Sequence, residues 1–167
     1  MKHIYRLIQG NRKFMENSDA ALRKNLAVNG QQPHCVVLAC SDSRVIPEAI
    51  FGAELGELFV VRVAGNVVGD HALGSIQYAI EHLGCNRVIV LGHTGCGAVA
   101  SALEGHAEGY ILTIVNDILQ AVGTERDPGR ACRLNVARVV ERVKGVVPSA
   151  DVRGAIYDMM TGGVEWL

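Results

Sequence analysis

Three short apolar segments that end abruptly in polar or glycine-rich sequence constrain the fold of this chain most. They lie at 35–40, 58–63 and 87–91. Short runs of this kind predict strands that are buried on both faces. A helical pattern at 72–83 separates the second run from the third, and alternation of strands with helices is typical of a parallel sheet covered by helices. The sequence therefore predicts the α/β class, with a mostly parallel β-sheet flanked by helices.

The remaining sequence is mostly helical in pattern. Apolar residues recur at spacings of three and four in 3–14, 110–122 and 130–144. A further strand is predicted at 152–157, followed by a turn and a short hydrophobic tail. A chain of 167 residues has the usual size of one domain.

We therefore expect a single domain, 1–167, in three parts. The parts are an N-terminal helical arm at 1–30, a core at 34–104 that carries the polar strand ends, and a region at 109–167 with helices and a final edge strand.

Charge and hydropathy exclude several classes of function. The formal net charge is −1, which gives no electrostatic footprint for nucleic acid or for an anionic membrane surface. No apolar run approaches the roughly 18 residues of a membrane-spanning helix, and the charged N-terminus lacks the pattern of a secretory signal. We therefore expect a cytoplasmic protein with a small, nearly neutral substrate, no nucleic acid partner and no membrane partner.

The residues with the clearest chemistry follow two of the predicted strands. Cys40 closes the first strand and His93 and Cys96 follow the third. Ligands of open parallel sheets bind at the carboxyl ends of the strands, so these side chains are expected to converge. Two thiolates and one imidazole make a zinc site with three protein ligands, and the fourth position stays open, as in catalytic zinc sites.

The glycines around this segment support the same interpretation. Gly92, Gly95 and Gly97 are expected to let the backbone turn tightly, so that His93 and Cys96 can face one ion. The other three cysteines, Cys35, Cys85 and Cys132, are interpreted as small buried hydrophobic residues.

Asp42 and Arg44 have two interpretations. Residues at i and i+2 often form a surface ion pair worth ~0–1 kcal/mol. Because both lie close to Cys40, they can instead form a functional pair in which Arg44 holds Asp42 away from the metal.

Together these segments resemble the β-carbonic anhydrase signature. The resemblance rests on Cys-x-Asp-x-Arg at Cys40 to Arg44 and on His-x-x-Cys at His93 to Cys96. It implies reversible hydration of carbon dioxide to bicarbonate and a proton by attack of zinc-bound hydroxide, with one Zn²⁺ per chain. Asp42 and Arg44 are then the catalytic residues, and in a closed form of the site Asp42 is also a zinc ligand.

The resemblance also implies an assembly and a substrate pocket. The chain is expected to form a homodimer or a higher assembly of dimers, with the N-terminal helix packed on the partner subunit. Gln31, Phe59 and Tyr78 match pocket residues of the family, some of which reach over from the neighbouring subunit. One departure is Val63, which stands where the family often has asparagine.

Two other functions remain open at this point. Similar scaffolds hydrolyse carbonyl sulfide or carbon disulfide with the same ligands. A non-catalytic zinc-binding module is the second alternative, although a structural site has no need of a charge pair beside an open metal position.

Overall fold

The computed structural model describes residues 2–167, which divide into two compact units at residue 32. Met1, where the predicted N-terminal arm begins, lies outside the described residues. The first unit consists of two helices, and the second contains the sheet and all the remaining helices.

The first unit contains α1 (Lys2–Asn17) and α2 (Ala20–Asn29). Asp19 begins α2 as its N-cap, and its carboxylate accepts hydrogen bonds from the amides of Ala21 at 2.8 Å and Leu22 at 3.0 Å. Helix α1 buries none of its residues. Its large apolar side chains are therefore exposed, and those that share one side of the helix are Ile4, Leu7, Ile8 and Met15.

The second unit is built on a five-stranded sheet in the order β2-β1-β3-β4-β5. The strands are β1 (Cys35–Ala39), β2 (Leu58–Arg62), β3 (Arg87–His93), β4 (Asp151–Tyr157) and β5 (Val164–Trp166). The first four pair in parallel, and β5 pairs antiparallel with β4. The predicted α/β fold with a mostly parallel sheet is confirmed.

The hydrophobic tail after the fourth strand is itself a strand, which the sequence pattern did not predict. The chain reverses at Gly162, whose φ of 77° lies in the left-handed region. Val164 then pairs with Tyr157. As a result β5 forms the edge of the sheet, and β4 lies inside it. A three-residue strand is too short to show a two-residue period.

Five helices complete the second unit. They are α3 (Pro47–Phe51), α4 (Asp70–His82), α5 (Gly97–Glu104), α6 (Ile111–Val122) and α7 (Pro128–Val146), together with a single 3-10 turn (Ala64–Asn66). Helices α3 and α5 were not predicted, because they are too short to show helical periodicity. Within residues 2–167, no helix is long and apolar enough to cross a membrane.

Strand β1 lies in the middle of the hydrophobic core, and all five of its residues are buried. Alternate side chains enter two clusters on opposite faces of the sheet. Val36 and Leu38 pack in the cluster that includes residues of α4 to α7, and Val37 and Ala39 pack in the smaller one. Burial on both faces explains why this strand has a continuous apolar sequence.

Helix α7 approaches the sheet closely at two glycines. A Cβ at Gly154 would lie 2.8 Å from Val136 Cγ1, and a Cβ at Gly92 would lie 2.5 Å from Val136 Cγ2. Gly92 is therefore required by this close approach and not by a tight turn, which corrects the sequence-based expectation. Of the three glycines in that segment, Gly95 alone has a left-handed φ, of 65°.

We predict that Gly154→Ala lowers the free energy of unfolding by about 1–3 kcal/mol, because the added methyl group overpacks the contact with Val136. Urea denaturation monitored by circular dichroism measures the effect. Gly74→Ala is the matched control: this position lies in α4 with no atom within 4 Å of a new Cβ. The Gly74→Ala variant should have a free energy of unfolding about 0.5–1 kcal/mol higher than the wild type, because alanine has a higher helix propensity than glycine. Equal stability of the two variants would contradict the close-packing argument.

Candidate metal centre

Cys40, His93 and Cys96 converge at the carboxyl edge of the sheet. Strands β1 and β3 are parallel neighbours, and Ala39 pairs with Leu91. Cys40 follows directly after β1, and His93 is the last residue of β3. The sulfur atoms of the two cysteines and a ring nitrogen of His93 all lie within 4.8 Å of one another. All three residues are buried, so the predicted convergence is present.

The ring of His93 is oriented by the backbone of the next residue. Its Nδ1 lies 2.9 Å from the carbonyl oxygen of Thr94. A carbonyl oxygen only accepts hydrogen bonds, so Nδ1 carries the proton and Nε2 of the neutral ring presents a lone pair. Nε2 is buried without a hydrogen-bond partner. A buried nitrogen of this kind needs a partner, and a metal ion would supply one.

The short loop from His93 to Cys96 is anchored on both sides. The amide of Thr94 donates to the carbonyl of Tyr157 at 3.0 Å, and Thr94 Oγ1 accepts from the amide of Met159 at 3.1 Å. Gly95 then supplies the left-handed conformation that returns the chain toward the cluster. These contacts position both ends of the His-x-x-Cys motif.

The sulfur of Cys40 is surrounded by hydrogen-bond donors. The amides of Gly65 and Asp42 lie 3.2 Å and 3.4 Å from it. The contact with the Cys96 thiol lowers the pKa of Cys40 well below its ordinary value, and the same contact raises the pKa of Cys96. One negative charge is thus shared between two sulfurs, and a bound cation would favour both as thiolates.

Asp42 and Arg44 form a two-point ion pair beside the cluster. Arg44 Nε donates to Asp42 Oδ1 at 2.9 Å, and Nη2 donates to Oδ2 at 2.7 Å. The side chain of Asp42 is 17% exposed, whereas that of Arg44 is 61% exposed. These hydrogen bonds hold the pKa of Asp42 well below its ordinary range. Asp42 is therefore an ionised carboxylate directed at Arg44.

The predicted pocket residues lie in different elements of the chain. Phe59 and Tyr78 form a tilted aromatic pair with ring centroids 6.4 Å apart. Phe59 lies three positions before Arg62, the last residue of β2, so it is set back about 10 Å along the strand from the carboxyl edge. Gln31 lies after α2 in the other unit, and its side chain is exposed.

The three other cysteines are buried, as predicted. Burial raises the pKa of Cys35 to about 11, and burial also raises the pKa values of Cys85 and Cys132. These thiols therefore remain protonated near neutral pH.

The donor set of the cluster fits a zinc ion. Thiolate and imidazole are the ligands that Zn²⁺ takes in proteins, at bond lengths of about 2.0–2.3 Å. Within residues 2–167, Cys40, His93 and Cys96 are the group of cysteine, histidine and acidic side chains close enough to share one ion. Three such donors leave one position of a tetrahedral ion for water or substrate.

Comparisons with known proteins identify the carbonic anhydrase family. The family model described as carbonic anhydrase matches residues 35–164. A carbonic anhydrase of Mycolicibacterium smegmatis is 39% identical over 122 residues, which cover 70% of this chain and 59% of that protein. The chain belongs to the β-carbonic anhydrase family.

Solved structures of β-carbonic anhydrases share the fold over nearly the whole chain. The β-carbonic anhydrase CcaA has a TM-score of 0.86 at 25% identity, covering 100% of this chain and 92% of that chain. A tetrameric β-carbonic anhydrase of Sordaria macrospora has a TM-score of 0.80 at 25% identity, covering 99% and 96%. The chain spans between 59% and 64% of the length of its curated mycobacterial relatives.

Two residues at this β-carbonic anhydrase site escaped the sequence analysis. Arg62 donates to the backbone carbonyls of Cys40 at 3.1 Å and Asp42 at 2.7 Å, and Asn135 donates to the carbonyl of Gly65 at 2.8 Å. Each carried a signal: Arg62 is a charged residue at the end of an apolar strand, and Asn135 is a polar residue on the apolar side of a helix.

We predict that His93→Ala and Cys96→Ser lose most of their bound zinc, because each removes one of three donors. The zinc affinity should fall by more than the roughly 10-fold to 100-fold that is lost when a residue hydrogen-bonded to a metal ligand is removed. Elemental analysis and competition with a chromophoric chelator measure it. Cys85→Ser is the control, since Cys85 is buried and donates to the carbonyl of Pro33 at 2.9 Å, away from the cluster. Full zinc retention in both site variants would refute the ligand assignment.

Proposed function

We propose that this protein catalyses the reversible hydration of carbon dioxide to bicarbonate and a proton, with one Zn²⁺ per chain. The observation that carries the proposal is the buried cluster of Cys40, His93 and Cys96 with the ionised carboxylate of Asp42 beside it. A structural zinc site closes all four positions with protein ligands. A cluster of three donors next to a restrained carboxylate favours catalysis instead.

Zinc, when bound, supplies Lewis acidity that makes water a nucleophile near neutral pH, as the established example of carbonic anhydrase with three histidine ligands illustrates. In this chain Cys40, His93 and Cys96 would hold the ion. His93 keeps its Nε2 lone pair available because Thr94 binds the proton on Nδ1.

Asp42 orients the reacting water. A carboxylate has about four acceptor sites, and three of them are used by the amide, Nε and Nη2 of Arg44. Two of these bonds end on Oδ1 and one on Oδ2, so Oδ2 keeps a free acceptor site. An ionised carboxylate cannot donate a hydrogen bond, so the water must point a proton at Asp42 and its lone pair elsewhere.

Arg44 and Arg62 keep Asp42 in this position. Arg44 holds the Asp42 carboxylate through hydrogen bonds from the solvent side. These bonds prevent the carboxylate from turning toward the metal. Arg62 donates to the backbone carbonyls on either side of Ser41 and so fixes the loop that carries Asp42. Direct ligation by Asp42 would require the ion pair with Arg44 to open.

The substrate pocket is completed by a neighbouring subunit in this proposal. Phe59 and Tyr78 present an aromatic pair, and Tyr78 is 48% exposed. An aromatic pair set back from its own metal cluster, with the Tyr78 ring about half exposed, is suited to line the pocket of a second copy. Gln31 is the polar residue proposed for the same pocket.

We predict that Arg44→Ala lowers the rate of carbon dioxide hydration by about 10-fold to 100-fold at unchanged zinc content, because Asp42 loses the partner that restrains it. Stopped-flow assays on protein of known zinc content measure the rate. Asp42→Ala should also be slow, since the hydrogen bond that orients the water is lost.

Wild-type protein should turn over carbon dioxide faster than carbonyl sulfide or carbon disulfide.

Arg153→Ala is the matched control for the Arg44→Ala prediction. Arg153 pairs with Asp151 in the same Asp-x-Arg pattern, with Nε 3.1 Å from Oδ1, at the opposite end of the sheet. Its rate should equal that of the wild type. If Arg44→Ala also keeps the wild-type rate at neutral pH, the Asp42 pair is ordinary surface charge. Faster turnover of carbon disulfide would favour a hydrolase on the same scaffold.

We also propose that the chain forms a homodimer or a higher assembly of dimers. The support comes from α1, an amphipathic helix that buries none of its residues although Leu7 and Ile8 share one side. Exposed apolar faces of this kind are costly in water and typical of interfaces. A related structure from Sordaria macrospora is described as tetrameric.

Sedimentation at micromolar concentration should give at least twice the chain mass of 17.9 kDa. We predict that Leu7→Gln shifts the equilibrium toward monomer, because it places an amide in the apolar face. Lys13→Gln introduces the same residue on the opposite side of α1 and should leave the assembly unchanged. A fully active monomer of the wild type would contradict the proposal.

A cytoplasmic location stays a prediction from the sequence. The support is that the five cysteines are all free and buried, which suits a reducing compartment.

A further inference from the structure

The sulfur of Cys40, which follows β1, accepts a hydrogen bond from a turn that follows the neighbouring strand β2. The 3-10 turn Ala64–Asn66 follows β2, and the amide of Gly65 donates to Cys40 Sγ at 3.2 Å. The turn is closed by the amide of Asn66, which donates to the carbonyl of Val63 at 2.8 Å. A ligand sulfur of the metal cluster is thus oriented by residues outside both sequence motifs.

Gly65 is held in a conformation that residues with a side chain rarely adopt. Its φ is 67°, and a Cβ on it would lie 2.9 Å from Ile118 Cδ1 and 3.1 Å from Ala98 Cβ. The absence of a side chain lets the turn pack closely against α5 and α6, but it also removes any side-chain anchor. The backbone of Gly65 must therefore be fixed through its own polar groups.

Asn135 of α7 supplies that anchor. Its Nδ2 donates to the carbonyl of Gly65 at 2.8 Å, across 70 residues of sequence. Asn135 is 2% exposed, and the other buried residues of α7 are all apolar: Ala131, Cys132, Val136, Val139, Val140 and Val143. A polar side chain at such a position is retained only when it forms a hydrogen bond, because burying it unpaired costs about 1–3 kcal/mol.

The carbonyl and the amide of Gly65 flank the same Cα atom. They belong to adjacent peptide planes, so the bond from Asn135 to the carbonyl and the bond from the amide to Cys40 together restrain both planes that meet at Gly65. Hydrogen bonds to a ligating sulfur orient it and withdraw part of its negative charge, which tunes the metal that it holds. This matters most in a site with two thiolates, which donate more charge than imidazoles do.

We propose that Asn135 is a positioning residue for the metal centre, acting through the backbone of Gly65 on the sulfur of Cys40. The inference rests on the proposed function only in that Cys40 is a metal ligand. In this proposal Asn135 acts on the site only through the backbone of Gly65. It sets the metal affinity of the site through the orientation and charge of the Cys40 sulfur.

The test uses the full chain loaded with ¹¹³Cd²⁺ and observed by NMR. In the wild type, the amide protons of Gly65 and Asp42 should both show scalar coupling to cadmium through the sulfur of Cys40. In Asn135→Leu, the Gly65 coupling should be lost or strongly reduced, while the Asp42 coupling remains as an internal reference. Zinc affinity, measured by chelator competition, should fall by about 10-fold to 100-fold.

Two further variants separate positioning from stability. Val139→Ala opens a cavity one turn along the same helix, so it should lower stability but keep both couplings and the wild-type zinc affinity. Asn135→Ala removes the donor without adding bulk at the same position. It should reproduce the loss of the Gly65 coupling, and it serves if Asn135→Leu does not fold.

The outcomes distinguish this inference from the proposed function. If the Asn135 variants keep the Gly65 coupling and the wild-type zinc affinity, the positioning role is wrong even if the enzyme hydrates carbon dioxide. If the Asn135 variants lose the Gly65 coupling and zinc affinity but the zinc-loaded wild type shows no hydration activity, the proposed function fails and the positioning role stands.

Discussion

The parallel pairing of β1 with β3 determines where the metal cluster forms. Because the strands run side by side in the same direction, the residues that follow them meet at one edge of the sheet. Cys40 and His93 are brought together in this way although 53 positions separate them in the chain. The pairing depends in turn on burial of β1 on both faces, since its apolar residues fit only the centre of a covered sheet.

The helix layer contributes to the same site through close packing. Val136 of α7 fits against Gly92 and Gly154 on two neighbouring strands, and this contact places the buried side of α7 next to the turn after β2. Asn135, the residue before Val136, can then reach the carbonyl of Gly65. The position of a hydrogen bond to the cluster is thus a consequence of how two glycines let a helix approach the sheet.

Two Asp-x-Arg pairs in the chain show that a local pattern does not determine function. Asp151 and Arg153 pair through the same groups as Asp42 and Arg44, and their aspartate is 45% exposed, compared with 17% for Asp42. Solvent screens the Asp151–Arg153 pair strongly, so this pair contributes little to stability. The Asp42–Arg44 pair faces a buried cluster with a negative sulfur, where the direction of a carboxylate has chemical consequences.

The sequence by itself determined the fold class, the strands that carry the site and the three donors of the cluster. These are local signals with one physical cause each. Continuous apolar runs reflect burial of the strands, and the cysteine-histidine-cysteine pattern at strand ends reflects metal binding. Helix α3, helix α5 and strand β5 are too short to carry a period. Only the tertiary structure decided that Arg62 and Asn135 support the loops around Cys40, and that Gly92 serves a helix contact. These roles depend on distances between residues far apart in the chain, and no periodicity or spacing in the sequence encodes such distances.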